Sequence, residues 1–317
     1  MNLKNIFSYS RKLAFISFLI FLLLSLNLFA QEELSSDQSN WYINTNLQLA
    51  GGNFIYNSFD NVISLYVGIG YQSGNFGISL SIPVVGNKNN FISQSGGMML
   101  PIGNSKNGYG TMSGAGSSGN GMMGGGSSMM GSSSSSIGNM NWGLGDLYLY
   151  LNYQLVSQSD FLTDVIVNAN VKFPTAPTQM GIGTSQYDYG ASLTLRKSFD
   201  LSDNLNSFVA IADLGYINFG DPAGITYENP FTYSLGLGKF FQPKADQPMA
   251  DNDGEYSLLL YYSAYTEVVK GYEPPRQIAL GLNYKISENL ILTGIGAAGL
   301  SKFTPAYNFS AGIMVGI

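Results

Sequence analysis

Seven charged side chains fall on the smaller, more polar side of alternating apolar runs: Asp146, Asp164, Lys172, Arg196, Asp213, Glu267 and Lys285. Acids and bases facing one another across a narrow channel filter solutes by charge, as rings of charged side chains do in pores. The same residues can instead pair and hold a narrow wall together, because buried charges need partners. Tyr42, Tyr66, Tyr148, Tyr150, Tyr261 and Tyr265 share that side and are expected to fill much of the space between the charges. The chain has no histidine and no cysteine. Imidazole bases, thiol nucleophiles, thiolate metal sites and disulfides are therefore excluded. Hydrolases built on barrels lean on a histidine base, so the reading is not an enzyme, and no cofactor is called for.

A second set of candidates is soft rather than charged. Eight of the twelve methionines lie between Met98 and Met140, and Met122, Met123, Met129 and Met130 form two adjacent pairs among glycines and serines. Thioethers select monovalent copper or silver and remain available where thiols and imidazoles are missing. The plainer reading is a slack low-complexity loop. The acidic patch Asp251-Asn252-Asp253-Gly254-Glu255 lacks the full spacing of a calcium loop and reads as a turn.

The elements that carry these residues are strands. From 277 to 286, Ile278, Leu280, Leu282, Tyr284 and Ile286 alternate with Gln277, Ala279, Gly281, Asn283 and Lys285. At the C-terminus Tyr307, Phe309, Ala311, Ile313, Val315 and Ile317 alternate with Asn308, Ser310, Gly312, Met314 and Gly316. Successive strand side chains point to opposite faces, so each run has one oily face and one small or polar face. Similar runs recur at 41–50, 63–71, 76–84, 147–155, 165–173, 191–199, 208–216, 231–237 and 256–262, with a less clearly sided one at 290–300. The expected fold is all-β: a transmembrane antiparallel up-and-down β-barrel of about 12 strands, with one long low-complexity extracellular loop.

Composition agrees. Of 317 residues, 45% are apolar and only 11% charged, against roughly 25% charged in soluble domains. A protein whose outside faces lipid needs few charges, and 21 tyrosines and 19 phenylalanines are ample for interfacial girdles. The formal charge of −6 argues against a nucleic-acid surface, which needs a basic face. Lys4, Arg11 and Lys12 precede an apolar run that ends at Ala30, so residues 1–30 are expected to be a signal peptide. Residues 31–40 then read as a periplasmic lead-in and 41–317 as the barrel, with 86–141 a Gly/Ser/Met-rich loop insertion.

Loop lengths add an orientation. The connections at 72–75, 156–160, 200–204 and 287–289 are short, while those at 52–60, 86–141, 174–186, 220–228 and 269–275 are longer. Only 242–254 is long for its class. Short periplasmic turns alternating with longer outside loops are the habit of outer-membrane barrels.

The residues Gly143-Leu144-Gly145-Asp146-Leu147, Val171-Lys172-Phe173-Pro174-Thr175, Gly181-Ile182-Gly183-Thr184, Tyr187-Asp188-Tyr189, Ile286-Ser287-Glu288-Asn289-Leu290 and the closing 299–317 carry a resemblance. In them the chain resembles the MetA-pathway phenol-degradation family of outer-membrane β-barrel, transporter-like proteins. The likeness covers roughly residues 144–317 and, more loosely, the first three strands. It departs in the long insertion, in Ala176 where a glycine is usual and in Ile317 where a terminal phenylalanine is usual. The resemblance implies passive movement of small hydrophobic or aromatic solutes across the outer membrane of a Gram-negative bacterium. The implied partners are outer-membrane lipid, the barrel-assembly machinery and a small-molecule solute. The rival reading is a surface-display or structural barrel whose Met-rich loop binds a partner or a soft metal ion.

Overall fold

The computed structural model describes residues 40–54, 59–88, 92–95, 98–101, 140–158, 162–176, 182–200, 206–222, 225–241, 255–287 and 289–317. Residues 1–30, expected to be a signal peptide, and nearly all of the expected lead-in lie outside the described residues. So do most of the 86–141 insertion, with Met122, Met123, Met129 and Met130, and residues 251–254 of the acidic patch.

The strands in chain order are β1 (Asn40–Gly52), β2 (Asp60–Ser73), β3 (Phe76–Asn87), β4 (Ile92–Ser95), β5 (Met98–Pro101), β6 (Asn141–Leu144), β7 (Leu147–Val156) and β8 (Asp164–Phe173). They continue as β9 (Asp188–Asp200), β10 (Asn206–Asn218), β11 (Phe231–Phe241), β12 (Glu255–Tyr265), β13 (Arg276–Ser287), β14 (Leu290–Gly299) and β15 (Tyr307–Gly316). Twelve of them, β1–β3 and β7–β15, pair antiparallel with their neighbours, and β1 closes the ring on β15 from Tyr42 against Gly316 to Gly51 against Tyr307. Closure leaves no edge whose backbone groups would be stranded in lipid. The strands run 10 to 14 residues, somewhat longer than the alternating runs alone delimit.

The insertion is more structured at its ends than the lapse in alternation suggests. β3 continues to Asn87, β4 and β5 form a separate hairpin, and β6 pairs with the end of β3. β6 is in effect the outer continuation of β7. Val84 faces Leu144 and Ser81 faces Tyr148, so Gly145, Asp146 and Leu147 oppose only Ile82 and Pro83. This is a β-bulge, and the extra residue reverses the alternation: Leu144 joins the outer face, Asp146 and Tyr148 turn inward. Pro83 has no N–H for the ladder, and its carbonyl instead accepts from the Gly145 amide at 2.7 Å. A side chain at position 145 would meet the Pro83 ring 2.6 Å away.

The oily stripes face out. Leu235 and Leu237 are 63% and 69% exposed, and Leu47, Leu214 and Leu280 are similarly bare. Those values suit a wall bathed in acyl chains and would be costly in water. Aromatic rings gather toward both ends of the outer face: Trp41 on Tyr71 at 4.9 Å and Phe241 on Tyr256 at 4.5 Å at one end, Tyr216 on Phe231 at 5.4 Å at the other. By the loop-length rule the first end is periplasmic.

Among the described residues, the two clusters of buried apolar side chains inside the wall lie at the extracellular end. On one side Ala50, Val62 and Val85 meet Phe54, Ala176 and Ile182 from the loops. On the other, Ile217 and Tyr265 pack with the loop residues Phe219, Ile225, Tyr227, Val268, Val269 and Phe303.

Candidate functional site

Glycines on the inward face of the wall sit where a side chain would strike one on the neighbouring strand. A side chain at Gly70 would overlap the ring of Tyr42, and one at Gly215 would meet Thr232 Oγ1 at 2.6 Å. The glycines therefore give the tyrosines and amides their room.

The expected charges do not form one ring. They divide along the barrel axis. Toward the periplasm, Asp164 and Arg196 are register partners on β8 and β9, with Arg196 Nε 2.8 Å from Asp164 Oδ2. The other carboxylate oxygen accepts from Gln154 Nε2 at 2.7 Å and from the Gln158 amide at 2.6 Å. Asp164 is buried while Arg196 remains nearly half exposed. Lys285 also lies toward this end, opposite Glu255 in register.

Midway along β10, Asp213 Oδ2 accepts from Ser192 Oγ at 2.9 Å and Thr194 Oγ1 at 2.6 Å. Asn168 on β8 donates to both hydroxyls, at 3.2 and 2.9 Å. Three adjacent strands thus present one hydrogen-bonded carboxylate held by neutral groups. Register explains the network: Asp213 faces Thr194 across β10–β9, and Asn168 faces Ser192 across β8–β9.

At the extracellular end Lys172 is buried with two acids. Its ammonium lies 2.6 Å from Asp188 and 3.7 Å from Asp146, and it donates to Thr184 Oγ1 at 2.7 Å. Asp146 also accepts from the Ala176 amide at 2.9 Å, and Asp188 from the Gly220 amide at 2.9 Å. This cluster joins β7, β8 and β9 to the loops that follow β8 and β10. Charges so enclosed tie loops to wall. Asp188 is absent from the sequence-derived set, although it stands in the Tyr187-Asp188-Tyr189 motif; its place directly opposite Lys172 is a matter of register.

Glu267 requires a correction. It is not on the lumen face of a strand, because β12 ends at Tyr265. Its carboxylate is exposed in the following loop and accepts from the amide of Gly271, where φ is +81°. The alternation of 256–262 runs out before this residue, so no face can be assigned to it from period alone.

The tyrosines line the lumen at several levels. Tyr148 and Tyr150 stack at 6.2 Å with 15° between their planes. Tyr148 and Tyr66 face inward on strands either side of β3, whose Ser81 and Pro83 lie between them. Tyr42 lies over Gly70 nearer the periplasm. Tyr265 is absorbed into the apolar packing at the extracellular end. Tyr150, Tyr261 and Tyr265, with Asn152, Asn168, Asn170, Ser192, Asp213 and Gln277, border a cavity of about 370 Å³. Among the described residues no group of three or more acids gathers in a metal-holding arrangement.

The arrangement is that of a narrow membrane-spanning barrel of the outer-membrane type, with a polar, tyrosine-lined interior. Solved structures similar to it are also barrels. An outer-membrane channel from Pseudomonas putida F1 is 11% identical, with a TM-score of 0.49, over 91% of this chain and 98% of that one. The KdgM porin is 9% identical, with a TM-score of 0.42, over 87% of this chain and 99% of that one. The translocator domain of the autotransporter NalP from Neisseria meningitidis is 10% identical, with a TM-score of 0.39, over 97% of each chain. No family model matches the chain, the phenol-degradation family included, and no curated protein matches it.

Proposed function

We propose that this protein is a passive channel in the outer membrane of a Gram-negative bacterium, admitting small solutes that combine an aromatic ring with polar substituents. The observation that carries this reading is the mid-lumen cavity. It offers the rings of Tyr150 and Tyr261 beside the Asp213–Ser192–Thr194–Asn168 network. Aromatic faces suit a planar solute, and the amide and hydroxyl groups suit its hydroxyl or amine. Asp213 is held by neutral donors, so it lends the lumen a negative potential that favours neutral and cationic forms over anions.

Nothing in this mechanism needs catalysis or an energy source; solute follows its gradient. Folding into the membrane would pass through the barrel-assembly machinery, the implied protein partner. The purely hydrophobic solute expected from the resemblance is less suited to this wall, whose cavity is rich in amides and hydroxyls.

Liposome swelling with purified protein tests the reading. Phenolic alcohols and aromatic amines should enter faster than aliphatic sugars of equal mass, and aromatic carboxylates more slowly than both. A barrel that passes none of them counts against transport and in favour of a display or structural role.

A further inference from the structure

Part of the inward face is apolar. Register lines up the inward side chains in rows across β10 to β14. The Asp213 row continues through Ser234, Ser263 and Gln277, all polar. One step toward the periplasm the row is Ile211, Gly236, Tyr261, Ala279 and Ala297. The next is Val209, Gly238, Leu259, Gly281 and Ile295, without a single hydrogen-bonding side chain. Below it the wall turns polar again, where Asn283 Nδ2 donates to Ser257 Oγ at 3.2 Å and Thr293 faces Asn283. The flanks are polar too: Arg196 and Ser198 continue the two rows on β9, Asn308 and Ser310 on β15. The result is a bounded apolar panel, about 19 Å wide over five strands, in two rows about 7 Å apart.

One part of the panel is open. Ile295 faces inward and is still 47% exposed. In its row Leu259 leans over Gly238, where an added Cβ would meet the Leu259 Cδ1 at 3.2 Å. It leans away from Gly281, where an added Cβ would meet nothing nearer than the Leu259 carbonyl oxygen at 3.8 Å. A shallow trough thus has Gly281 as its floor and Leu259 and Ile295 as its banks, two strands or about 10 Å apart. An aliphatic side chain bare to water inside a channel gains by being covered, and the aliphatic carbon of a solute can cover it. Two observations choose this occupant. The trough adjoins Tyr261, which also borders the mid-lumen cavity, so both lie along one path. Its polar surroundings on every side fit a short hydrocarbon arm rather than a long apolar chain.

We propose that the trough between Leu259 and Ile295 is a specificity subsite for a short alkyl arm on the solute. The inference rests on the lumen being a path open to solute, and it narrows the solute class to amphipathic aromatics. A cationic or hydroxyl head meets Asp213, the ring lies beside Tyr261, and the arm extends one row toward the periplasm onto Ile295. The three contacts follow the order of the three rows along the barrel axis.

Methyl NMR of the full barrel in lipid nanodiscs, titrated with benzylamine and its 4-methyl, 4-ethyl and 4-propyl homologues, tests it. The arm protons should show nuclear Overhauser contacts to the Ile295 δ-methyl, assigned by its loss in Ile295→Val. Affinity should rise about twofold per added carbon, the gain for a methylene half withdrawn from water. The outward Ile69 and Ile278 report any amine dissolved in the bilayer. Gly281→Leu fills the trough and Ile295→Asn makes one bank polar; each should flatten the dependence on arm length while benzylamine itself binds as before. Heat-modifiable gel migration identifies folded barrels in each case. A flat or absent response in the parent barrel, or an Ile295 already in contact with methionines of the 86–141 insertion, would overturn the subsite. A graded response in a barrel that passes no solute in the swelling assay would count against transport and leave the subsite standing.

Discussion

Lys172 and Asp188 stand directly opposite one another across β8 and β9, and their charged ends meet at 2.6 Å with almost no exposure to solvent. Asp146 approaches the same ammonium from the bulge before β7. One cation therefore serves two buried carboxylates that also hold the Ala176 and Gly220 amides. Replacing Lys172 by Met leaves both acids without their counter-ion. The expected loss is about 3–5 kcal/mol of unfolding free energy, the usual consequence of breaking a buried pair from one side. Urea unfolding in detergent or lipid measures it. Adding Asp188→Asn and Asp146→Asn to the same chain should recover part of the loss.

The Asp164–Arg196 pair has similar geometry in a wetter place, with Arg196 nearly half exposed. Arg196→Gln should therefore cost less, about 1–2 kcal/mol. Asp164 retains Gln154 and the Gln158 amide when the guanidinium is gone. The same unfolding assay ranks the two variants, and a larger loss for Arg196→Gln would contradict the division between an enclosed tie and a solvated pair.

Among the described residues, the hydrogen-bond partners of Asp213 are the neutral Ser192 and Thr194. Asp213→Asn should lower the cation-to-anion permeability ratio by about threefold, the factor for roughly one kT of potential. Reversal potentials in a planar bilayer under a salt gradient read it directly. Stability should change little, since an amide side chain can keep both hydroxyl contacts.

Gly70 tests how tightly the lumen is filled. Any side chain there overlaps Tyr42, so Gly70→Leu should cost about 1–3 kcal/mol through overpacking. If the barrel still folds, the displaced ring should change single-channel conductance. Tyr42→Ala in the same chain should restore stability toward the parent, a coupling that a double-mutant cycle reports.

Much of this protein is legible along the chain because strand geometry is local. A backbone that repeats every two residues shows its two faces in composition, and that is enough for the barrel and its twelve wall strands. Partnership is not local. Asp188 reaches Lys172, Asn168 reaches Thr194 and Gln48 reaches Asn308 at 3.0 Å because register aligns residues from 16 to 260 positions apart. No period within a single strand encodes that alignment. Glu267 eluded the reading because alternation fades where a strand becomes a loop, and the side that Leu144 takes is set by one extra residue at Gly145–Leu147 that reverses the phase. The alternating chain determines which way each side chain points. Only closure of the ring decides what it meets there, since closure sets every strand's offset against its neighbours at once.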